Sequence, residues 1–219
     1  MNQFEVFSDI PEPLFEKYVQ LDKIAVDTEL HGLTMNRDQI CLVQLCDKDE
    51  EVCLVRPGPD LDYMRLKSLM ENKYVKKIFH FALTDVAFFK TSLNIVVSPF
   101  CCTKVMSKLI RTYTQSHGLK DLHAELLGVE MEKEQQQTNW ADLDLSPKQL
   151  KYAANDVLRL LEIHDHLQDM IEKRVQLQGR KTVFELNQIA QSMLPGMVDL
   201  LIHGYGDLDR GWQTTLFSH

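Results

Sequence analysis

The spacing of apolar residues along the chain changes near residue 100. Over the first hundred positions they fall in short aliphatic runs divided by polar turns: IAVD from residue 24, QICLVQLC from 39, EVCLVR from 51, VKKIFHF from 75 and LNIVVSPF from 93. Their length and β-branched content predict five strands. Between them, PEPLFEKYVQ, LDYMRLKSLM and TDVAFFKTSL carry the three-and-four spacing of amphipathic helices. The polar breaks NRD and DKDEE are short enough for hairpins. The later alternation of strand with helix calls for a sheet that is at least partly parallel.

Helical spacing takes over after residue 103. One helix is expected from Thr103 to about Tyr113, and a second over LKDLHAELL, closing at Gly128. A polar stretch, EMEKEQQQTNWADLD, follows. Ser146 and Pro147 then hold the cap and first-turn positions of a long helix whose apolar positions include Leu150, Ala153, Val157, Leu160, Leu161 and Leu167. Past about Arg180 there is further helical content, with Pro195 and Gly196 reading as a break and residues 204–219 as irregular. The expected fold class is α/β: a mixed five-stranded sheet flanked by helices, with C-terminal helices. A single domain over residues 1–219 accounts for the pattern, with its core at about 20–175 and a helical extension and tail at about 176–219.

Composition narrows the function. The 219 residues are 44% apolar, enough for a sizeable core, and 24 basic against 32 acidic side chains give a formal charge of -8. That charge is a poor match for coating a long polyanion, so any nucleic acid bound is expected to be short and held locally. The longest stretches free of charged residues, 91–103 and 186–198, are too short to span a bilayer. The N-terminus lacks the basic start and apolar run of a secretory signal. Cys41, Cys46, Cys53, Cys101 and Cys102 form no C-x-x-C pair, and their odd total fits reduced thiols in a cytoplasmic protein.

The candidate chemistry is acidic. In KIAVDTELHG, a strand leaving the core sets Asp27 and Glu29 two places apart, hence on one face, about 6 to 7 Å from each other along the strand. Asp85 follows the apolar run FHFAL near the start of a helix. Tyr152 and Asp156 lie four apart on the long helix and share a face. Singly, each acid has a plainer reading: a helix cap for Asp85, a solvated position for the others. Together, four carboxylates converging at strand ends would repel one another unless a cation lay among them. A hard divalent ion, Mg2+ or Mn2+, suits all-oxygen ligands. Two such ions can activate a water and stabilise the leaving oxygen of a phosphodiester, with the tyrosine holding the water.

These residues carry a family resemblance. D-T-E at Asp27 to Glu29, H-x-x-x-x-D at His80 to Asp85 and Y-x-x-x-D at Tyr152 to Asp156 resemble the three motifs of the DEDDy 3′-to-5′ exonucleases. Ribonuclease D is the nearest branch, since LSPKQLKYAANDVLRLLEI matches its third motif with flanks, and Lys133 precedes Trp140 at the expected distance. KIFHF, CTKVMSKLIRTYTQSHGLK and the triple glutamine at Gln135 to Gln137 are similar to the small NrnC-type nano-RNases. Only 63 residues follow Asp156, which leaves little room for the helical RNA-binding domains of full ribonuclease D.

The resemblance implies an RNase H-like sheet, two divalent cations on Asp27, Glu29, Asp85 and Asp156, a homo-oligomer, specifically an octamer, and a preference for dinucleotides. It also implies that Leu33 wedges between the two bases. The sequence departs from the family at Leu30 and His31 in the first motif, at Phe81 and Thr84 in the second, and at Thr138 and Asn139 before Trp140. None of these is a metal ligand; they bear on base and phosphate contacts.

A substrate 5′ phosphate needs donors. Lys104, Arg111 and His117 are candidates, the guanidinium with its fork geometry above all, although the same residues would also suit a solvated helix face. His80 can stack on or hydrogen-bond the substrate, or sit satisfied in the core. Trp140 can stack a base or pack internally. The activity expected is a metal-dependent 3′-to-5′ exoribonuclease that cuts very short oligoribonucleotides to 5′-mononucleotides. The alternatives are an exonuclease on longer RNA or DNA and a catalytically silent nucleic-acid-binding scaffold.

Overall fold

The computed structural model describes residues 4–58, 62–131, 138–174 and 182–203. Lys133, the Gln135 to Gln137 run and the tail at 204–219 lie outside them. In chain order the elements are β1 (Val6–Phe7), α1 (Glu12–Tyr18), β2 (Lys23–Leu30), β3 (Ile40–Cys46), β4 (Val52–Val55) and α2 (Met64–Glu71). Next come β5 (Lys76–Phe79), α3 (Ala82–Leu93), β6 (Phe100–Cys102), α4 (Thr103–Ile110) and α5 (Leu119–Leu122), which runs into a π-helical turn at His123–Leu127. The last are α6 (Pro147–Leu158), α7 (Leu160–Lys173) and α8 (Val183–Ile202).

The sheet has six strands in the order β1-β4-β3-β2-β5-β6. β2, β3 and β4 form an antiparallel meander, while β5 and β6 add to β2 in parallel and β1 adds to β4 in parallel. The mixed sheet follows from the connections: a nine-residue loop and a five-residue turn join the meander, and α3 carries the parallel crossover from β5 to β6. Strand alternation then builds two cores. Ile24, Val26, Val43, Leu45 and Phe79 face α2, α3 and α8. Ala25, Leu42, Cys46, Leu54 and Ile78 face α4, α6 and α7.

Several expectations need correction. The sheet gains β1, a two-residue strand too short to show a period. The run Ile95 to Val97 is not a strand. Its backbone is claimed by α2, through Ser98 N–H to Met70 O at 3.1 Å and Val96 N–H to the Glu71 carboxylate at 3.1 Å. The fully buried Lys77 ammonium also donates to Ser98 O at 2.7 Å, so β6 starts only at Phe100. The helix from Thr103 ends at Ile110 rather than Tyr113. The long helix after Ser146 is two, broken at Arg159 (φ −120°, ψ 14°).

Pro195 and Gly196 do not end α8. Proline removes one helical hydrogen bond, but both flanks are anchored. Leu194 and Val198 are buried in the α3-side core, and the Gln191 amide pairs with both backbone groups of Cys102. Among the described residues no helix is long and apolar enough to cross a membrane, and the five cysteines carry free thiols.

Candidate active site

Asp27 and Glu29 lie on β2 where it runs past the end of β5, continuing the face on which Ala25 is core. Both are half-buried. α6 crosses this face. Its start is fixed by Pro147 and by a reciprocal cap in which Ser146 Oγ accepts from Gln149 N–H and Gln149 Oε1 accepts from Ser146 N–H at 2.9 Å. The Gln149 amide also reaches Thr138 Oγ1 at 3.2 Å. These contacts set the phase of the helix, which turns Tyr152 and Asp156 toward the β2 carboxylates while Ala153 packs on Leu42 and Leu54.

Asp85 arrives from the other layer, on the first turn of α3, and is buried. Thr28, whose side chain points to that layer, donates to Asp85 Oδ1 at 2.5 Å. The middle residue of D-T-E is thus the clasp between the first two motifs.

The electrostatics reflect the same convergence. Burial, then Asp85, Asp156 and Glu29, push Asp27 well above the usual carboxylate range. Burial followed by Asp156 and Asp85 raises Glu29 to about 9. Burial raises Asp85 to about 6 against the Thr28 hydrogen bond, and Asp156 to about 7 against a hydrogen bond from Tyr152. Burial, then Asp156, Glu29 and Asp27, push the Tyr152 phenol upward, so it stays protonated at neutral pH.

The groups opposing these shifts are the Thr28 hydroxyl and a backbone N–H for Asp85 and the Tyr152 phenol for Asp156, with no cation among them. Four carboxylates in a desolvated site with all-oxygen chemistry fit a hard divalent ion. Among the described residues no three His, Cys, Asp or Glu side chains close into a tight ligand cage. The four acids share a site in which Asp27 is raised by the charge of the other three and Glu29 by that of Asp156 and Asp85.

The other candidates are placed as follows. Leu33 is 74% exposed on the turn between β2 and β3, two residues beyond His31. That turn depends on Gly32: its φ is +134°, and a Cβ there would lie 2.3 Å from the Asp38 carboxylate. Asp38 in turn accepts from Thr34 N–H at 2.8 Å. His80 hydrogen-bonds Thr103 Oγ1 through Nδ1 at 2.9 Å, its Nε2 is buried without a partner, and burial followed by Lys104 lowers it to about 4. Lys104 Nζ lies 4.2 Å from the ring centre of Phe81, an exposed residue in the left-handed conformation (φ 67°) just before α3.

Three candidates are structural in this fold. Arg111 is fully buried and binds Glu125, Ser107 Oγ at 2.9 Å and Ser116 O at 2.8 Å, so its guanidinium has no face for phosphate. His117 is buried against Ser107 Oγ at 2.9 Å. Trp140, 3% exposed, packs on Leu42, Leu54 and Ala153 with its ring 6.2 Å from that of Tyr152, so it backs the tyrosine rather than offering a stacking face. Sequence reasoning overlooked Thr28 and Gln149, whose signals were D-T-E itself and the S-x-x-Q cap.

A family model described as 3′-5′ exonuclease matches residues 7–172. Ribonuclease D of Haemophilus influenzae is 32% identical over 154 residues, covering 70% of this chain and 38% of that protein. Ribonuclease D of Bartonella henselae is 27% identical over 179 residues, covering 82% and 43%. The chain therefore spans about two-fifths of the length of these curated relatives.

Among solved structures, Brucella melitensis NrnC has a TM-score of 0.84 at 33% identity and covers 98% of this chain and 97% of its own. The same protein has been solved bound to pGG and with bound Mg2+. Escherichia coli RNase D, with a TM-score of 0.77 and 23% identity, shares the fold over 97% of this chain and 56% of its own. The motif residues meet at one site, and the family match runs across all of them: the chain belongs to the 3′-5′ exonuclease family.

Proposed function

We propose that this chain is a metal-dependent exoribonuclease that hydrolyses very short oligoribonucleotides from the 3′ end, dinucleotides foremost, and releases 5′-mononucleotides. The observation that carries this reading is the meeting of Asp27, Glu29, Asp85 and Asp156 beside Tyr152, where the charge of one group raises the proton affinity of its neighbours. Two divalent ions, Mg2+ or Mn2+, held by those carboxylates would neutralise the phosphodiester and acidify a water. The chain itself serves to hold that water in line through the Tyr152 hydroxyl and to fix Asp85 through Thr28.

Short substrates are supported by likeness to a protein solved with pGG over nearly the full length of both chains. They are also supported by a net charge of -8, which does not suit a long anionic track. In this reading the exposed Leu33, four residues past Glu29, wedges between adjacent bases, and Lys104 with the exposed Phe81 ring 4.2 Å from it supplies a cation and an aromatic face.

A time course on 5′-labelled RNAs of two to seven nucleotides, under one set of conditions, checks the length preference. The dimer is expected to turn over at least about tenfold faster than the heptamer, a difference of about 1.4 kcal/mol in barrier. Equal rates across lengths would remove the preference, and no cleavage of any length would remove the exonuclease. The chain is further proposed to assemble as an octamer. α8 leaves Ile189 and Met193, four residues apart on one side of the helix, exposed, the kind of apolar pair that a subunit contact covers. Light scattering of the purified protein checks the assembly, and a monomer at micromolar concentration would contradict it.

A further inference from the structure

One polar side chain interrupts the apolar face of the sheet beneath α6. The β3 residues turned to that helix are Leu42, Gln44 and Cys46, all 0% exposed. Neither the Nε2 nor the Oε1 of Gln44 has a hydrogen-bond partner. An amide left this way is costly, and a leucine or methionine of similar volume would suit the metal-free core better. Breaking a local rule without local compensation is a mark of a functional position.

Strand register supplies what Gln44 is for. It lies directly opposite Asp27 on β2 and opposite Leu54 on β4. Residues directly opposed across antiparallel strands share a face, with Cβ atoms about 4.5 to 5.5 Å apart. The amide of a glutamine at that separation can reach an aspartate oxygen by rotation of its own side chain. In the other direction it meets Leu54, which packs with Leu42, Trp140 and Ala153 in an apolar cluster that offers no carboxylate. Asp27 is therefore the polar group that the strand register places within its reach.

We propose that Gln44 is a positioning residue: its amide N–H donates to the Asp27 carboxylate when a divalent cation is held there, and so fixes which oxygen the cation meets. The proposal rests on the exonuclease reading, since it supposes that the four carboxylates take such an ion. Groups that orient metal ligands in this way commonly change affinity by about 10- to 100-fold when removed.

The test uses the full chain stripped of metal, compared with Gln44→Leu and Gln44→Met, which keep the volume and remove both polar atoms. Mn2+ is titrated and free Mn2+ is read by electron paramagnetic resonance without substrate. Melting is followed in EDTA, and dinucleotide kcat/KM is measured at limiting and at saturating Mn2+. Expected are Mn2+ binding weaker by about 10- to 100-fold, an EDTA melting temperature equal to or above wild type, and an activity loss that shrinks as Mn2+ rises. A merely structural glutamine would instead lower the melting temperature and leave Mn2+ binding unmoved.

The proposal is overturned if either variant, once folded, binds Mn2+ as tightly as wild type. It is equally overturned if neither folds, because the amide would then be serving the metal-free core. A wild-type chain that takes up no Mn2+ would instead bring down the exonuclease reading, so the two failures are distinguishable.

Discussion

Replacing Asp27 with asparagine will reduce turnover of a labelled dinucleotide by more than about 1,000-fold, and in EDTA it will raise the melting temperature. The first effect follows because this carboxylate lies where the charges of Asp85, Asp156 and Glu29 all act on it, the place a cation would occupy. A loss of about 4 kcal/mol in transition-state charge stabilisation corresponds to that factor. The second follows from the sign of the shifts. Asp27, Glu29, Asp85 and Asp156 all lie above their ordinary values, so the folded, metal-free state holds protons that the unfolded chain releases.

Stability without metal therefore falls as pH rises from about 4, where free carboxylates ionise, through the raised values up to about 9 for Glu29. Removing one negative charge relieves some of that repulsion. Each kcal/mol recovered is worth about 2 to 4 °C in a chain of this size. Added Mg2+ should flatten the same decline in wild type and do much less for Asp27→Asn. Thermal melts from pH 5 to 9, with EDTA and with Mg2+, check this. A flat wild-type profile in EDTA, or an active asparagine variant, would contradict it.

The features of this site that were legible in the sequence are those governed by local periodicity. Two residues apart on a strand, or four apart on a helix, fix a shared face wherever the element lies, so Asp27 with Glu29 and Tyr152 with Asp156 could be paired before any tertiary contact was known. The alternation of strand and helix likewise gave the partly parallel sheet. What failed depended on distant partners. The Ile95 to Val97 run reads as a strand because it is apolar and β-branched, yet its backbone is tied to the end of α2. No glycine or proline marks the break at Arg159; it appears where α6 lies on the sheet and α7 turns against α4 and β5.

The functional residues divide the same way. Arg111 looked like a phosphate ligand because a guanidinium is usually solvated or bound to an anion. Its anion proves to be Glu125, which the π-helical turn brings round. Trp140 carries the same lesson, since an indole can stack a base or back a tyrosine, and only the packing of Leu42, Leu54 and Ala153 decides. Gln44 was visible all along as the lone amide in ICLVQLC. Its meaning waited on the register that sets it opposite Asp27.

Replacing Tyr152 with phenylalanine separates binding from chemistry. The ring contact with Trp140 and the helix phase set by Ser146 and Gln149 remain, so the variant should fold and should bind Mn2+ within a few-fold of wild type. The hydroxyl that holds the attacking water is lost, and kcat should fall by about 100- to 1,000-fold, in the range seen for a positioned proton-transfer group, with KM little changed. In the metal-free site burial and the neighbouring carboxylates push the phenol upward, so there it stands as a neutral hydroxyl able to orient a water. Tyr152 also lowers Asp156, whose value of about 7 is held down by that hydrogen bond. In the phenylalanine variant Asp156 rises, so the acid limb of the residual kcat/KM profile should move to higher pH. An acid limb that stays in place would mean that the phenol does not engage Asp156, and a kcat within tenfold of wild type would assign the water to another group.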